Sequence, residues 1–109
     1  MGQKAEFRLD ILIKKEEDYF LAHCLQFDIV TTADTLKDVR KDIINICKAH
    51  IDYSFENDNM EFLFSPAPKE VWSEYMAMFK KKDCDVENKS LDNPFTLKPF
   101  SIQEIYCYA

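Results

Sequence analysis

Two short apolar segments, residues 19–25 and 29–32, are separated only by Gln26-Phe27-Asp28 and run almost directly into a helix pattern that continues to Ile51. A connection this short suits an antiparallel turn. The stretch from Asp18 to Ile51 therefore reads as a β-hairpin that delivers the chain into an amphipathic helix. Within it, residues 19–25 are apolar on both sides: Phe20, Ala22 and Cys24 alternate with Tyr19, Leu21, His23 and Leu25. Such a strand either lies between two layers or underlies an oligomer interface.

An earlier strand is expected over residues 7–13, where Phe7, Leu9, Ile11 and Ile13 alternate with Arg8 and Asp10, and Leu12 breaks the pattern. Residues 14–18 contain no apolar side chain and are predicted to form a hairpin loop. Asp34 or Thr35 can cap the helix, and Asp38 lies three residues after Thr35, close to a capping box. Leu36, Val39, Ile43, Ile46 and His50 recur at helical spacing, which predicts that they face the sheet.

Beyond the turn at Asn57-Asp58-Asn59, a fourth strand is expected over residues 60–64, ended by Ser65-Pro66-Ala67-Pro68. A second helix is expected over residues 69–79, with Val71, Trp72, Tyr75, Met76 and Phe79 as its apolar stripe. Residues 83–94 are polar and turn-prone and read as a loop, whereas the alternation of Phe100, Ile102, Tyr106 and Tyr108 predicts a terminal strand. With 109 residues and 47% hydrophobic content, the chain is long enough for one core, so residues 1–109 form a single domain.

Twenty acids oppose fourteen Lys and Arg, giving a net charge of -6, which disfavours direct binding to nucleic acid and favours a basic protein partner. No apolar run reaches the roughly 20 residues of a membrane span, and the first residues lack a signal peptide's apolar centre, so a cytoplasmic location is expected. Cys24, Cys47, Cys84 and Cys107 form no CxxC pair and are expected to be reduced, buried thiols. His23-Cys24 and Cys47/His50 combine metal-ligating residue types, but neighbouring strand residues point to opposite faces, so no metal site is expected. His50, near the helix end, is expected to meet unsatisfied helix carbonyls. Asp10 and Asp18 lie on or beside strands without the converging acids that two-metal chemistry needs. No catalytic residue set and no cofactor are implied.

The run Asp18-Tyr19-Phe20-Leu21-Ala22-His23-Cys24-Leu25, followed by residues 28–32 and by Asp34-Thr35-Leu36, resembles the HicB-like antitoxin family, with Ala33 in place of that family's glycine before the helix. The resemblance covers residues 6–64 and implies an α+β fold: an antiparallel β-β-β-α-β, truncated ribonuclease-H-like unit, here with residues 65–109 adding a helix, a loop and a strand. It also implies a noncatalytic protein that binds and masks a small basic RNA-cleaving toxin of the HicA type. The DNA-binding domain of many family members is not recognisable: from residue 56 onward ten Asp and Glu face six Lys, and the end is aromatic. A stand-alone homo-oligomer without a toxin, sealed by the aromatic tail and the second strand, is the competing expectation.

Overall fold

The computed structural model describes residues 5–58, 61, 63–81, 84–91 and 100–109. In chain order the elements are β1 (Ala5–Lys15), β2 (Phe20–Cys24), β3 (Ile29–Ala33), α1 (Leu36–Glu56), α2 (Lys69–Lys80), β4 (Cys84–Leu91) and β5 (Phe100–Tyr108). The five strands form one sheet in the order β3-β2-β1-β5-β4. The chain is thus a mixed α+β domain. The sheet is also mixed: β1 pairs antiparallel with β2 but parallel with β5, which corrects the purely antiparallel expectation.

Strand alternation sorts side chains into two cores. Phe7, Leu9, Ile11 and Ile13 of β1 pack with Val39, Ile43, Cys47 and Ile51 of α1. Leu12, which broke the alternation in sequence, is buried on the opposite face with Tyr75 of α2, Ile105 and Cys107. A helix on each face makes β1 a strand buried on both sides, and the apolar Leu12 is the consequence.

The β1–β2 connection is tighter than expected. β1 continues to Lys15, which pairs with Phe20, and the Glu16 amide donates to the Tyr19 carbonyl at 2.8 Å. Thr35 caps α1 by accepting from the Asp38 amide at 3.1 Å, as the capping pattern predicts. Among the described residues positive φ occurs only at Asp28 and Asp58, so the turn after Ala33 needs no glycine. α1 runs on to Glu56, and its buried face is Val39, Ile43, Cys47, Ile51 and Ser54. Ile46, assigned to that face from spacing, is 40% exposed.

Three further expectations are corrected. Glu61, Leu63 and Phe64 are not in a strand, while Met60 and Phe62 lie outside the described residues. Leu63 instead drops into the α1-side core, and the following segment is pinned to the β2–β3 turn by Ser65 N–H to the Gln26 carbonyl and Ala67 N–H to the Leu25 carbonyl. The chain at 84–91, read as loop, is the edge strand β4; Asp83 and residues 92–94 lie outside the described residues. Its polar composition hid it, since only one partner strand is needed to satisfy an edge. Cys84 and Cys107, expected as thiols, are register partners joined by a disulfide. No helix among the described residues is long and apolar enough to cross a membrane.

Candidate functional site

Asp10 is the most deeply engaged acid of the α2 face. It is 3% exposed, and its carboxylate accepts from the Arg8 guanidinium at 3.0 Å, the Gln26 amide at 2.5 Å and the Tyr75 hydroxyl at 2.5 Å. Its backbone N–H donates to Gln26 Oε1 at 2.8 Å. The arrangement ties β1, the β2–β3 turn and α2 together, because one buried carboxylate must collect donors from all three to offset its desolvation. Asp18, by contrast, is exposed at the hairpin tip.

The two histidines and two thiols considered as ligands are dispersed. His23 Nε2 lies 2.6 Å from Asp28 Oδ1, across the β2–β3 turn. His50 meets the Leu63 carbonyl at 2.9 Å and packs edge-on against Phe27, so its carbonyl partner belongs to the downstream segment and not to the helix end. Cys24 and Cys47 are buried and share a side-chain hydrogen bond that lowers the Cys24 pKa and, with burial, raises that of Cys47. Among the described residues no group of three or more His, Cys, Asp or Glu is placed to hold a metal.

A concave feature lies on the other face, between α1 and the β5–β4 side of the sheet, with a volume of about 550 Å³. Lys37, Arg40, Lys41, Asn45 and Lys48 form its helical wall beside Leu36 and Ile44, and Tyr106 and Glu87 form the strand wall. The helix presents these residues together because 37, 41, 45 and 48 advance by about one turn each. Their helical spacing alone predicts a solvated polar arc; the placement of β5 beside β1 supplies the second wall.

The floor of this groove solves an electrostatic problem. Glu87 and Glu104 are direct register partners on β4 and β5, where like charges oppose one another. Arg40 pairs with Glu87 and lays its guanidinium 4.1 Å from the centre of the Tyr106 ring, while the Tyr106 hydroxyl donates to Glu104. Sequence patterning identified Tyr106 as an apolar strand residue, but gave no sign that Arg40, 66 positions earlier, would cover it.

Burial, reinforced by hydrogen bonds to Asp10 and Glu104 respectively, pushes the Tyr75 and Tyr106 pKa values up. A phenol whose folded pKa exceeds its unfolded value near 10 keeps the native state fully stabilised below that pH and withdraws the contribution as pH rises above it. Each such tyrosine therefore steepens alkaline destabilisation by about 1.4 kcal/mol per pH unit above roughly pH 10. Urea unfolding measured at intervals across that range checks the expectation, and Tyr75→Phe should flatten the slope.

A third surface is the free edge of the sheet. Among the described residues β3 pairs with β2 alone. Its five residues, Ile29 to Ala33, carry no charge, Val30 is 49% exposed, and the exposed acids Asp28 and Asp34 flank the strand. Comparisons with protein-family models, curated proteins and solved structures give no match to this chain.

Proposed function

We propose that the chain is a noncatalytic, antitoxin-like binding module that masks a small basic protein of the RNA-cleaving kind implied by the HicB-like resemblance. The observation that carries this reading is the edge of β3, an uncharged β-branched strand with a carboxylate at each end. Open strand edges accept an extended segment through main-chain hydrogen bonds. Natural edges are commonly blocked by lysine, proline or a bulge, none of which lies in Ile29 to Ala33. Asp28 and Asp34 are six positions apart, which spans about 20 Å in extended backbone, so a partner strand with cations toward both ends fits the edge. Symmetric pairing of β3 with its own copy about Thr31 would bring Asp28 against Asp34 and is disfavoured. The succession β1-β2-β3-α1 supports the first four elements of the truncated ribonuclease-H-like unit, although the closing strand expected over residues 60–64 is not found among the described residues and the strand parallel to β1 is β5.

The test is capture from the native lysate with the wild type, Asp28→Asn/Asp34→Asn and Val30→Lys. A small basic protein should be retained by the wild type, at least about tenfold less by either variant, and should regain ribonuclease activity when released by salt. Equal retention by all three proteins, or a retained protein without that activity, would overturn the reading. Asparagine is chosen because it tolerates the φ of 54° found at Asp28.

A further inference from the structure

The molecule carries two complementary charged surfaces, neither of which is neutralised among the described residues. Among the described residues the ion pairs are Arg8–Asp10, Lys14–Glu74, His23–Asp28 and Arg40–Glu87. Lys37, Lys41 and Lys48 along the α1 groove are therefore unpaired, and so are Glu16, Glu17 and Asp18 at the β1–β2 hairpin tip. All three hairpin acids are exposed, and next to them Tyr19 presents an aromatic side chain that is 41% exposed. The groove offers the counterpart of each element: cations on its helical rim and the half-buried Leu36 and Ile44 beneath them.

We propose that two copies of this chain associate by seating the Glu16-Glu17-Asp18-Tyr19 hairpin tip of each in the basic α1 groove of the other. The carboxylates would meet Lys37 and Lys41, and the Tyr19 ring would cover Leu36 and Ile44. An acidic knob and a basic groove on one molecule make a heterologous contact, which closes only if a symmetry axis can satisfy both copies at once. The topology permits this. Lys15 pairs with Phe20, Phe20 with Ala33, and α1 starts at Leu36, so the hairpin tip and the first turn of the groove wall lie at the same end of the sheet. A two-fold axis near that end can seat both hairpins. The net charge of -6 opposes association of two copies at long range, so it is the local match that has to hold them.

Nucleic acid is the weaker occupant of the same groove, because Arg40 already covers the Tyr106 face and leaves no aromatic surface on the groove floor for base stacking. An oligonucleotide bound there by a monomeric wild type would count against the proposal.

Charge reversal tests the contact from both sides. Lys37→Glu/Lys41→Glu and Glu16→Lys/Glu17→Lys alter only exposed positions, and unchanged thermal transitions verify folding. By light scattering at about 50 µM, the wild type is expected to be a dimer and each variant a monomer. An equimolar mixture of the two variants should recover a dimer, since the acidic hairpin of the first fits the basic groove of the second and the basic hairpin of the second fits the acidic groove of the first. A monomeric wild type, a variant that still dimerises, or a mixture that stays monomeric would each overturn the proposal. The β3 edge takes no part in this contact, so loss of self-association leaves the capture experiment with the edge variants unaffected.

Discussion

Asp10→Ala is expected to destabilise the fold by about 3 kcal/mol, the range found when one partner of a buried charged network is removed. The side chain touches groups from three elements, so its loss does more than delete an ion pair. Arg8, whose side chain is 51% exposed, can return to water at little cost. Tyr75 cannot: it is fully buried, and its hydroxyl would lose its acceptor in the α2-side core. Gln26 would lose the acceptor for its Nε2 while still holding the Asp10 backbone amide through Oε1. Tyr75→Phe should cost less, about 1 kcal/mol, because Arg8 and Gln26 continue to solvate the carboxylate. Urea titrations of the two variants give the comparison, and the same α2 docking is read from the near-ultraviolet signal of Trp72, which packs edge-on against Tyr75. If Asp10→Ala cost no more than Tyr75→Phe, the network would be a surface ion pair in energetic terms and α2 would be held by apolar contacts alone.

What sequence could reveal followed from the range of the interactions involved. Thr35 could be recognised as a cap because its acceptor role is satisfied three residues away, and β1, β2 and β3 because their side-chain alternation is local. Leu12 looked like an irregularity until the second helix layer gave it a core to enter. Residues 60–64 alternate like a strand, yet Leu63 is buried without strand pairing and Phe64 is 52% exposed beside Phe7 and Phe27. Hydrophobic alternation reports which side chains want cover, not whether a neighbouring strand is there to pair. β4 failed in the opposite sense, since an edge strand with Asp85, Glu87 and the exposed Val86 has no apolar pattern to display. The groove was least legible of all. Its lysines follow from helical spacing, but the wall opposite them depends on β5 inserting between β1 and β4, a pairing that links residues about 95 positions apart in the chain.

Reduction of the Cys84–Cys107 disulfide is the second change with a large expected effect, and it bears on both the groove and the compartment. The bond closes a sequence separation of 23 residues, for which loop-closure entropy alone gives about 3 kcal/mol of stabilisation. Besides the disulfide, β4 is held by its antiparallel ladder with β5, while its described side chains bury little: Val86 is 56% exposed, Cys84 is half-buried, and Glu87 reaches α1 through Arg40. Cys84→Ser/Cys107→Ser should therefore lose about 3 kcal/mol and show faster hydrogen exchange in β4, while β1 and β2, sealed by the α1-side core, change little. The groove would loosen in step, because Glu87 forms part of its strand wall and orients Arg40 over Tyr106. The bond can be counted directly. Alkylation of the unfolded, unreduced protein should modify two of the four cysteines, Cys24 and Cys47, and prior reduction should expose all four. Four modified thiols without reduction would return β4 to hydrogen bonding alone. Two would instead indicate an oxidising environment or a protected site, in place of the reduced thiols expected of a cytoplasmic protein, because a cross-strand pair with one half-buried and one buried sulfur does not stay oxidised against a reducing thiol pool unless its potential lies well below that of the pool.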